Sequence, residues 1–348
     1  MSASLARAAI SGSSRPGGAR GEFRRRSSAA RRRAAPDGAE GTPPWSDPFS
    51  RAESAPIAPQ ERSWGGVSAA GRVGTSASVE EIRVASWNEL LEALYAGSWQ
   101  DPLGRYRSNE AFRGMADAAD DLTTTLVRLG GPYAELETPL VRNFRRYARR
   151  DDVPDDSLWN WLALAQHHGL PTRLLDWTHS PFVALHFATY RLDRNERDAA
   201  VVCVDYLAAN EYLPDRLRTL LEDEGSNLFT VEMLGRAAET LRDFDALAER
   251  PFAVFCEPPS FDERIVNQYA LFSLVSSATV ALDEWLEERP GLARKIVVPA
   301  ELKLEVRDKL DQANVTERVL FPGLDGLSRW LTRYYTPAEG LVRRAANR

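Results

Sequence analysis

Gln166-His167-His168-Gly169-Leu170-Pro171-Thr172-Arg173-Leu174-Leu175-Asp176-Trp177-Thr178-His179-Ser180-Pro181 runs without a break into Phe182-Val183-Ala184-Leu185-His186-Phe187-Ala188, and all four histidines of the 348-residue chain lie inside it. Leu174-Leu175 reads as a short buried strand. Asp176, Thr178 and Ser180 then offer N-cap oxygens, and Pro181 suits the first turn of a helix. A strand, a polar turn and a helix start together make a place where backbone N–H groups point outward and can hold an anion. The stretch also mixes apolar residues with polar groups that are costly to bury unpaired, so its polar members need partners.

Working outward, Ser86-Trp87-Asn88-Glu89 is a capping box that opens a helix carrying Leu90, Leu91 and Leu94 and ending at Gly97. Residues 107–114 are predicted as a strand and 120–129 as a helix closed by Gly130-Gly131. A second helix over 135–150 would bury Leu136, Leu140, Phe144 and Tyr147, and a third over 157–167 is closed by Gly169 and Pro171. Downstream come a helix over 181–190, a strand over 199–206 and a helical region reaching Arg250. Strands are then expected at 252–256, 271–276 and 294–298, with helices at 301–314 and 324–335. Helices and short strands mix without regular βαβ alternation. The pattern predicts an α+β fold, a compact domain over 79–340 whose short strands form a central split sheet surrounded by helices.

Composition narrows the function classes. Hydrophobic residues at 43% and charged residues at 27% are ordinary for a globular protein. No apolar run approaches the roughly eighteen residues that cross a bilayer, so no transmembrane segment is expected. Cys203 and Cys256 lie in apolar strand-like runs without metal spacing and read as buried thiols, which suits a reducing, cytoplasmic compartment. Residues 1–36 hold nine arginines and one acid, Glu22, leaving 35 bases against 49 acids in the remainder. The acidic remainder disfavours a broad nucleic-acid surface, although the Arg-rich head could touch nucleic acid or an acidic membrane. Residues 1–78 are rich in Ala, Ser, Gly, Pro and Arg, lack periodic apolar residues, and are predicted to be disordered. An organelle transit peptide is the alternative for this head. Its Ala, Arg, Gly and Pro usage suits a GC-rich bacterial source.

Several residues could carry chemistry. Arg113 is a planar cation able to contact a phosphate bidentately, and Gly114 beside it lets a ligand approach the backbone. His167 and His168 end a helix, where the macrodipole favours an imidazolium. Adjacent histidines point to different sides, and the other two lie eleven and more residues on, so no metal site is expected. No Gly-rich phosphate loop, Gly-x-Ser-x-Gly elbow or dinucleotide fingerprint is present. Asp176, Trp177 and Thr178 form a polar-aromatic unit: Trp177 could stack on a flat ring while Asp176 or Thr178 binds a ribose hydroxyl. The same residues could simply cap the next helix and fill the core. Gln268 precedes an aromatic-apolar strand.

The run Gln166 to Thr178 closely resembles the signature of the FRG domain, a family named for a Phe/Tyr-Arg-Gly tripeptide that this chain has as Phe112-Arg113-Gly114. Two further blocks resemble the same family: Arg264-Ile265-Val266-Asn267-Gln268-Tyr269-Ala270-Leu271-Phe272 and Leu320-Phe321-Pro322-Gly323-Leu324-Asp325-Gly326-Leu327. The third block has Ala270-Leu271 where the pattern has Gly before its last aromatic. Together the four blocks cover roughly 86–335.

The order of an Arg, a Thr near a turn and a Gln ahead of a strand is similar, more distantly, to the ADP-ribosyltransferase superfamily. That likeness rests on fold-level analogy. It implies NAD as co-substrate, a macromolecular acceptor of protein or nucleic acid, and no metal. Under it Arg113 and Gly114 would clamp the pyrophosphate or adenosine ribose, with Asp176 and Trp177 also binding the nucleotide. His167 and Thr178 would orient the nicotinamide ribose, Trp177 or Tyr269 would wall the nicotinamide, and Gln268 would hold the ribose hydroxyls in an oxocarbenium-like transition state. A neutral Gln cannot act as a base. The resemblance therefore carries two classes, an NAD-consuming transferase and a non-catalytic nucleotide- or partner-binding module. A third is a transferase recruited to RNA or DNA by the Arg-rich head.

Overall fold

The run Ala199-Ala200-Val201-Val202-Cys203-Val204 is short and largely β-branched, and such residues pack well on a pleated, doubly covered surface. It forms an inner strand of an eight-stranded sheet in the computed structural model, which describes residues 79–338. The tail expected at 1–78 and the domain end expected at 340 lie outside the described residues.

In chain order the elements are β1 (Glu80–Arg83), α1 (Trp87–Tyr95), β2 (Trp99–Gln100), β3 (Arg105–Tyr106), β4 (Glu110–Met115), α2 (Tyr133–Tyr147), α3 (Leu158–His167), β5 (Leu175–Thr178) and α4 (Pro181–Thr189). They continue with β6 (Ala199–Asp205), α5 (Tyr206–Ala209), α6 (Asp215–Glu224), β7 (Phe229–Thr230), α7 (Val231–Ala237), α8 (Leu241–Asp245), β8 (Ala253–Glu257), α9 (Glu263–Asn267) and β9 (Ala270–Val275). The chain closes with α10 (Leu282–Glu287), β10 (Ala293–Val298), α11 (Lys303–Gln312), α12 (Glu317–Leu320) and α13 (Leu324–Tyr334). The sheet order is β1-β10-β6-β4-β5-β9-β8-β7, and β2 pairs with β3 as a separate ribbon. Edge strands β1 and β7 run parallel to their neighbours while the inner pairings are antiparallel, so the α+β class holds. No helix among the described residues is long and apolar enough to cross a membrane.

The sheet is continuous rather than split, and its narrowest join is between β4 and β5. β4 and β5 share a single register pair, Phe112 with Thr178, whereas β4 pairs with β6 over six residues and β5 with β9 over four. Where β4 and β5 part, the Asp176 carbonyl meets the Arg113 guanidinium, whose Nη1 donates to it at 2.5 Å.

Each sheet face buries its own cluster. One face carries Ala111, Met115, Trp177, Val202, Val204, Phe255 and Leu271. The other carries Phe112, Val201, Cys203 and Ile296 under α4 and α11, and Val254, Cys256, Phe272 and Leu274 under α3 and α7. Both thiols are free and buried, and burial pushes the Cys256 thiol up to about 12 and the Cys203 thiol higher still.

Four local expectations change. Residues 120–129 are not a helix: an irregular segment ends in one 3-10 turn at Val127–Leu129. Its amides bond elsewhere, Leu122 N to Asp283 Oδ2 and Leu126 N to the Thr172 carbonyl, and Thr123-Thr124-Thr125 is a β-branched run that favours extended backbone. Helix α2 buries Glu137 and Val141 while Leu136 and Tyr147 are exposed. The rotation follows Glu137, drawn inward by buried Arg173, whose Nε donates to it at 2.8 and 3.0 Å. Strand β5 continues through Asp176 and Thr178, so Ser180 alone of the three expected caps holds α4, accepting from Val183 N at 3.3 Å. At α1 the Glu89 carboxylate reaches back to Ala85 N rather than to Ser86 N.

Candidate functional site

The side chains of β5 alternate, and that alternation divides the expected site residues. Trp177 opposes Leu271 and falls on the Ala111 face, whereas Asp176 opposes Phe272 and Thr178 opposes Ala270 on the other face. On this second face a cleft of about 420 Å³ opens between the C-terminal end of α3, β5, α9 and the start of β9. That volume lies within the usual range for small-molecule sites. His167, Asp176 and Gln268 line it, with Gln166, His168, Gly169, Arg264 and Phe272.

Asp176 is the exposed carboxylate of the cleft, and its orientation is fixed from behind. Gln166 Nε2 donates to Asp176 Oδ2 at 3.0 Å. The amide oxygen of Gln166 accepts from Thr172 Oγ1 at 2.6 Å, and that hydroxyl accepts from Leu174 N at 3.1 Å. A fixed side-chain amide cannot turn to bond another group, so one oxygen of this exposed, cleft-lining carboxylate is held in place. Gln166 and Thr172 were not among the expected site residues. Both stand in the long motif, and the cost of burying an amide unpaired was the signal that they had a partner there.

His167 sits at the end of α3 with Nε2 2.8 Å from Asp262 Oδ2. Asp262 also caps α9, accepting at Oδ1 from Arg264 N and Ile265 N at 2.9 and 3.1 Å. Burial pushes the Asp262 carboxyl up, but these amides and His167 hold it below its ordinary value. Arg264 lines the cleft, donates from Nη1 to the His167 carbonyl at 3.4 Å, and lies 5.4 Å over the Phe321 ring. Its Nε is buried without a protein partner.

The remaining expected site residues have other tasks. Thr178 Oγ1 donates to the Gln268 carbonyl at 2.6 Å and accepts from Ser180 N at 3.0 Å, which fastens β5 to the turn before β9. Gln268 lines the cleft, yet its amide donates to the Leu320 carbonyl at 2.8 Å, beside Asn267, which donates to Val319 O at 3.0 Å. Those two amides dock α12 against α9. Tyr269, 63% exposed, carries the positive φ of 48° at this turn, one residue ahead of the Ala270 that departs from the family pattern. Left-handed backbone at a bulky residue is strained.

Three expected nucleotide contacts change with the geometry. Trp177 is 4% exposed and packs edge-on to Phe255, its Nε1 donating to Ser273 Oγ at 2.8 Å, so its faces are not open to a flat ring. Gly114 does not admit a ligand. A Cβ there would lie 1.9 Å from Ala184 O and 2.6 Å from Ala188 N, so α4 itself occupies the space. Arg113 opposes Val202 on the Trp177 face, away from the cleft, and its expected convergence with His167, Thr178 and Gln268 does not occur. The buried guanidiniums of Arg173, Arg294, Arg307 and Arg333 each meet a carboxylate. Arg113 meets the Asp176 carbonyl instead, and burial pulls its pKa down despite the charge of Asp176 nearby.

His179 and His186 stay outside the cleft, His179 lying 3.7 Å from Glu257. His186 is fully buried, its Nδ1 2.9 Å from Arg307 Nη1, and burial with that cation alongside holds its pKa down at about 3. Among the described residues no group of His, Cys, Asp and Glu is placed to hold a metal ion.

A family model described as the FRG domain matches residues 108–197, identifying that domain over this span. The span contains Phe112-Arg113-Gly114 and the long motif, and it supplies the Gln166, His167 and Asp176 side of the cleft. The Arg264 and Gln268 side lies beyond it. No curated protein and no solved structure matches the chain.

Proposed function

We propose that the cleft binds a nucleotide of the NAD type, with Asp176 receiving the ribose hydroxyls that Gln268 was expected to hold. The observation that carries this reading is the Asp176 carboxylate, fixed through Gln166 and Thr172 and open to the cleft. A carboxylate accepts from two hydroxyls at once, and its charge favours a ribosyl carbon that becomes positive as a glycosidic bond breaks. Arg264, which lines the cleft, takes the anion-anchoring part first given to Arg113, since a guanidinium contacts phosphate bidentately. On this reading the chain is ADP-ribosyltransferase-like, breaking the nicotinamide–ribose bond and passing the ribosyl group to an acceptor.

A second reading, a nucleotide-binding module without turnover, is favoured by one observation. Thr178, Gln268 and Arg113, the three residues on which the superfamily likeness rested, are each bonded to main-chain carbonyls. Calorimetry with NAD beside a nicotinamide-release assay separates the two. Asp176→Asn is expected to weaken NAD by roughly tenfold or more, as for loss of a charge-assisted bond, and to lower release further. Binding without release selects the module. A folded wild-type protein that does not bind NAD ends the nucleotide reading.

A further inference from the structure

Resting on that reading, we infer that His167, held by Asp262, is the general base of the cleft, and that the acceptor it activates presents a hydroxyl, either water or an alcohol group. Gln268 cannot take a proton, and Asp176 is placed to accept ribose hydroxyls, so a transfer reaction here needs a separate base. His167 is among the cleft-lining residues, as Asp176 is, and its side chain keeps 8% of its surface exposed.

Its hydrogen bonding sets the tautomer. Asp262 already accepts from two main-chain amides at Oδ1, and its Oδ2 lies 2.8 Å from His167 Nε2. A carboxylate at that position places the imidazole proton on Nε2 and the lone pair on Nδ1. Among the described residues the ring's hydrogen bond is the one at Nε2, which leaves Nδ1 for another group. The ring is walled by His168 and Phe261, with centroids at 5.2 and 6.5 Å. A base fixed by a carboxylate that itself stays charged is the arrangement by which hydroxyl nucleophiles are activated on unrelated folds.

The step balances without a further reactant. The acceptor O–H gives its proton to Nδ1, and its oxygen forms a bond to the anomeric carbon. The C–N bond to nicotinamide breaks with its electron pair passing to the ring nitrogen, so nicotinamide leaves neutral. Neither oxidant nor reductant takes part. With water the product is ADP-ribose; with an alcohol it is an O-linked ADP-ribosyl group.

The test uses the full chain with NAD. His167→Gln keeps a donor for Asp262 and removes the base. It is expected to lower kcat for nicotinamide release on the order of 100-fold, leave the Kd for NAD within about threefold, and abolish the acid limb of the pH–rate profile. Asp262→Asn, which can still cap α9, is expected to lower kcat by about tenfold and to shift that limb, with KM little changed. Long-range nitrogen–proton NMR on histidine-labelled protein is expected to report the Nε2–H tautomer for His167. Release within threefold of wild type in His167→Gln, or an Nδ1–H tautomer, overturns the base while the binding reading stands. Wild type that binds NAD without release also overturns it, and wild type that does not bind NAD ends both.

Discussion

Gly114→Ala tests whether the Phe-Arg-Gly tripeptide serves the fold or a ligand. The added Cβ would stand 1.9 Å from Ala184 O, where ordinary contact begins near 3.4 Å, so α4 must back away by about 1.5 Å. Neither obstacle is a flexible side chain: Ala184 O and Ala188 N both belong to the helix backbone. Moving α4 separates Ala184, Leu185 and Ala188 from Phe112 and Val201 in the cluster they share. Overpacking costs 1–3 kcal/mol where side chains can adapt, and a backbone obstacle puts this case at or above the upper end, about 3 kcal/mol. At roughly 2–4 °C per kcal/mol for a domain of this size, Tm is expected to fall by about 6–12 °C in differential scanning calorimetry. NAD affinity of the folded fraction is expected to stay within about twofold, because α4 and not the cleft takes the strain. A melting temperature within about 2 °C of wild type, together with lost affinity, would refute the reasoning and return Gly114 to the ligand.

Other perturbations read other parts of the same argument. His186 is held neutral down to about 3 against an ordinary value of 6.5, so between those values the unfolded chain takes a proton that the folded chain refuses. Stability is then full above about pH 6.5 and falls on acidification by roughly 1.4 kcal/mol per pH unit; in His186→Gln urea melts between pH 7 and 5 should lose most of that slope. Glu317 acts in a lower window. Burial opposes its charge, but bonding from Arg333 and the charges of Arg307 and Arg333 bring it down to about 2, so its contribution is present above the ordinary carboxylate range and is lost only as pH falls towards 2. Glu137→Gln should cost about 3–5 kcal/mol in chemical denaturation by leaving the Arg173 charge short of its buried partner; a loss below 1 kcal/mol would mean that Asp245 suffices. Arg113→Met should change stability by no more than about 1 kcal/mol and leave NAD affinity unaltered, since it exchanges a buried cation without a carboxylate for apolar volume; a tenfold loss of affinity would restore Arg113 as a ligand contact.

Where one local rule dominated, the chain was legible. Helix α3 after Ser157 and α4 after Ser180 follow from cap chemistry, and β6, β8, β9 and β10 follow from short apolar runs. The reading failed where a distant partner decides. Asp176 and Thr178 look like caps because their oxygens suit a turn, yet pairing with Phe272 and Ala270, over ninety residues on, makes them strand. Glu137 turns α2 away from its apolar stripe because Arg173 is waiting in the core. Gly114 and Trp177 were read from what glycine and tryptophan can do for a ligand, and helix α4 and Phe255 claim them first. His167, Asp176 and Gln268, read from the sequence as catalytic or nucleotide-binding residues, line one cleft, whereas Gln166, Thr172 and Asp262, which hold two of them in place, were not singled out.

Those holding residues explain why the FRG span cannot be the whole unit that positions the cleft. Within residues 108–197 the strands of the described structure pair only at Phe112 with Thr178, and one pair does not fix a register. The pairings that do are β4 with β6 and β5 with β9, and both partners lie beyond residue 197. Asp176 therefore keeps its direction through Gln166 inside the span and through β9 outside it, while His167 depends on Asp262, also outside. The FRG span supplies Asp176 and His167 to the cleft, and the region after residue 250 sets the angle between them.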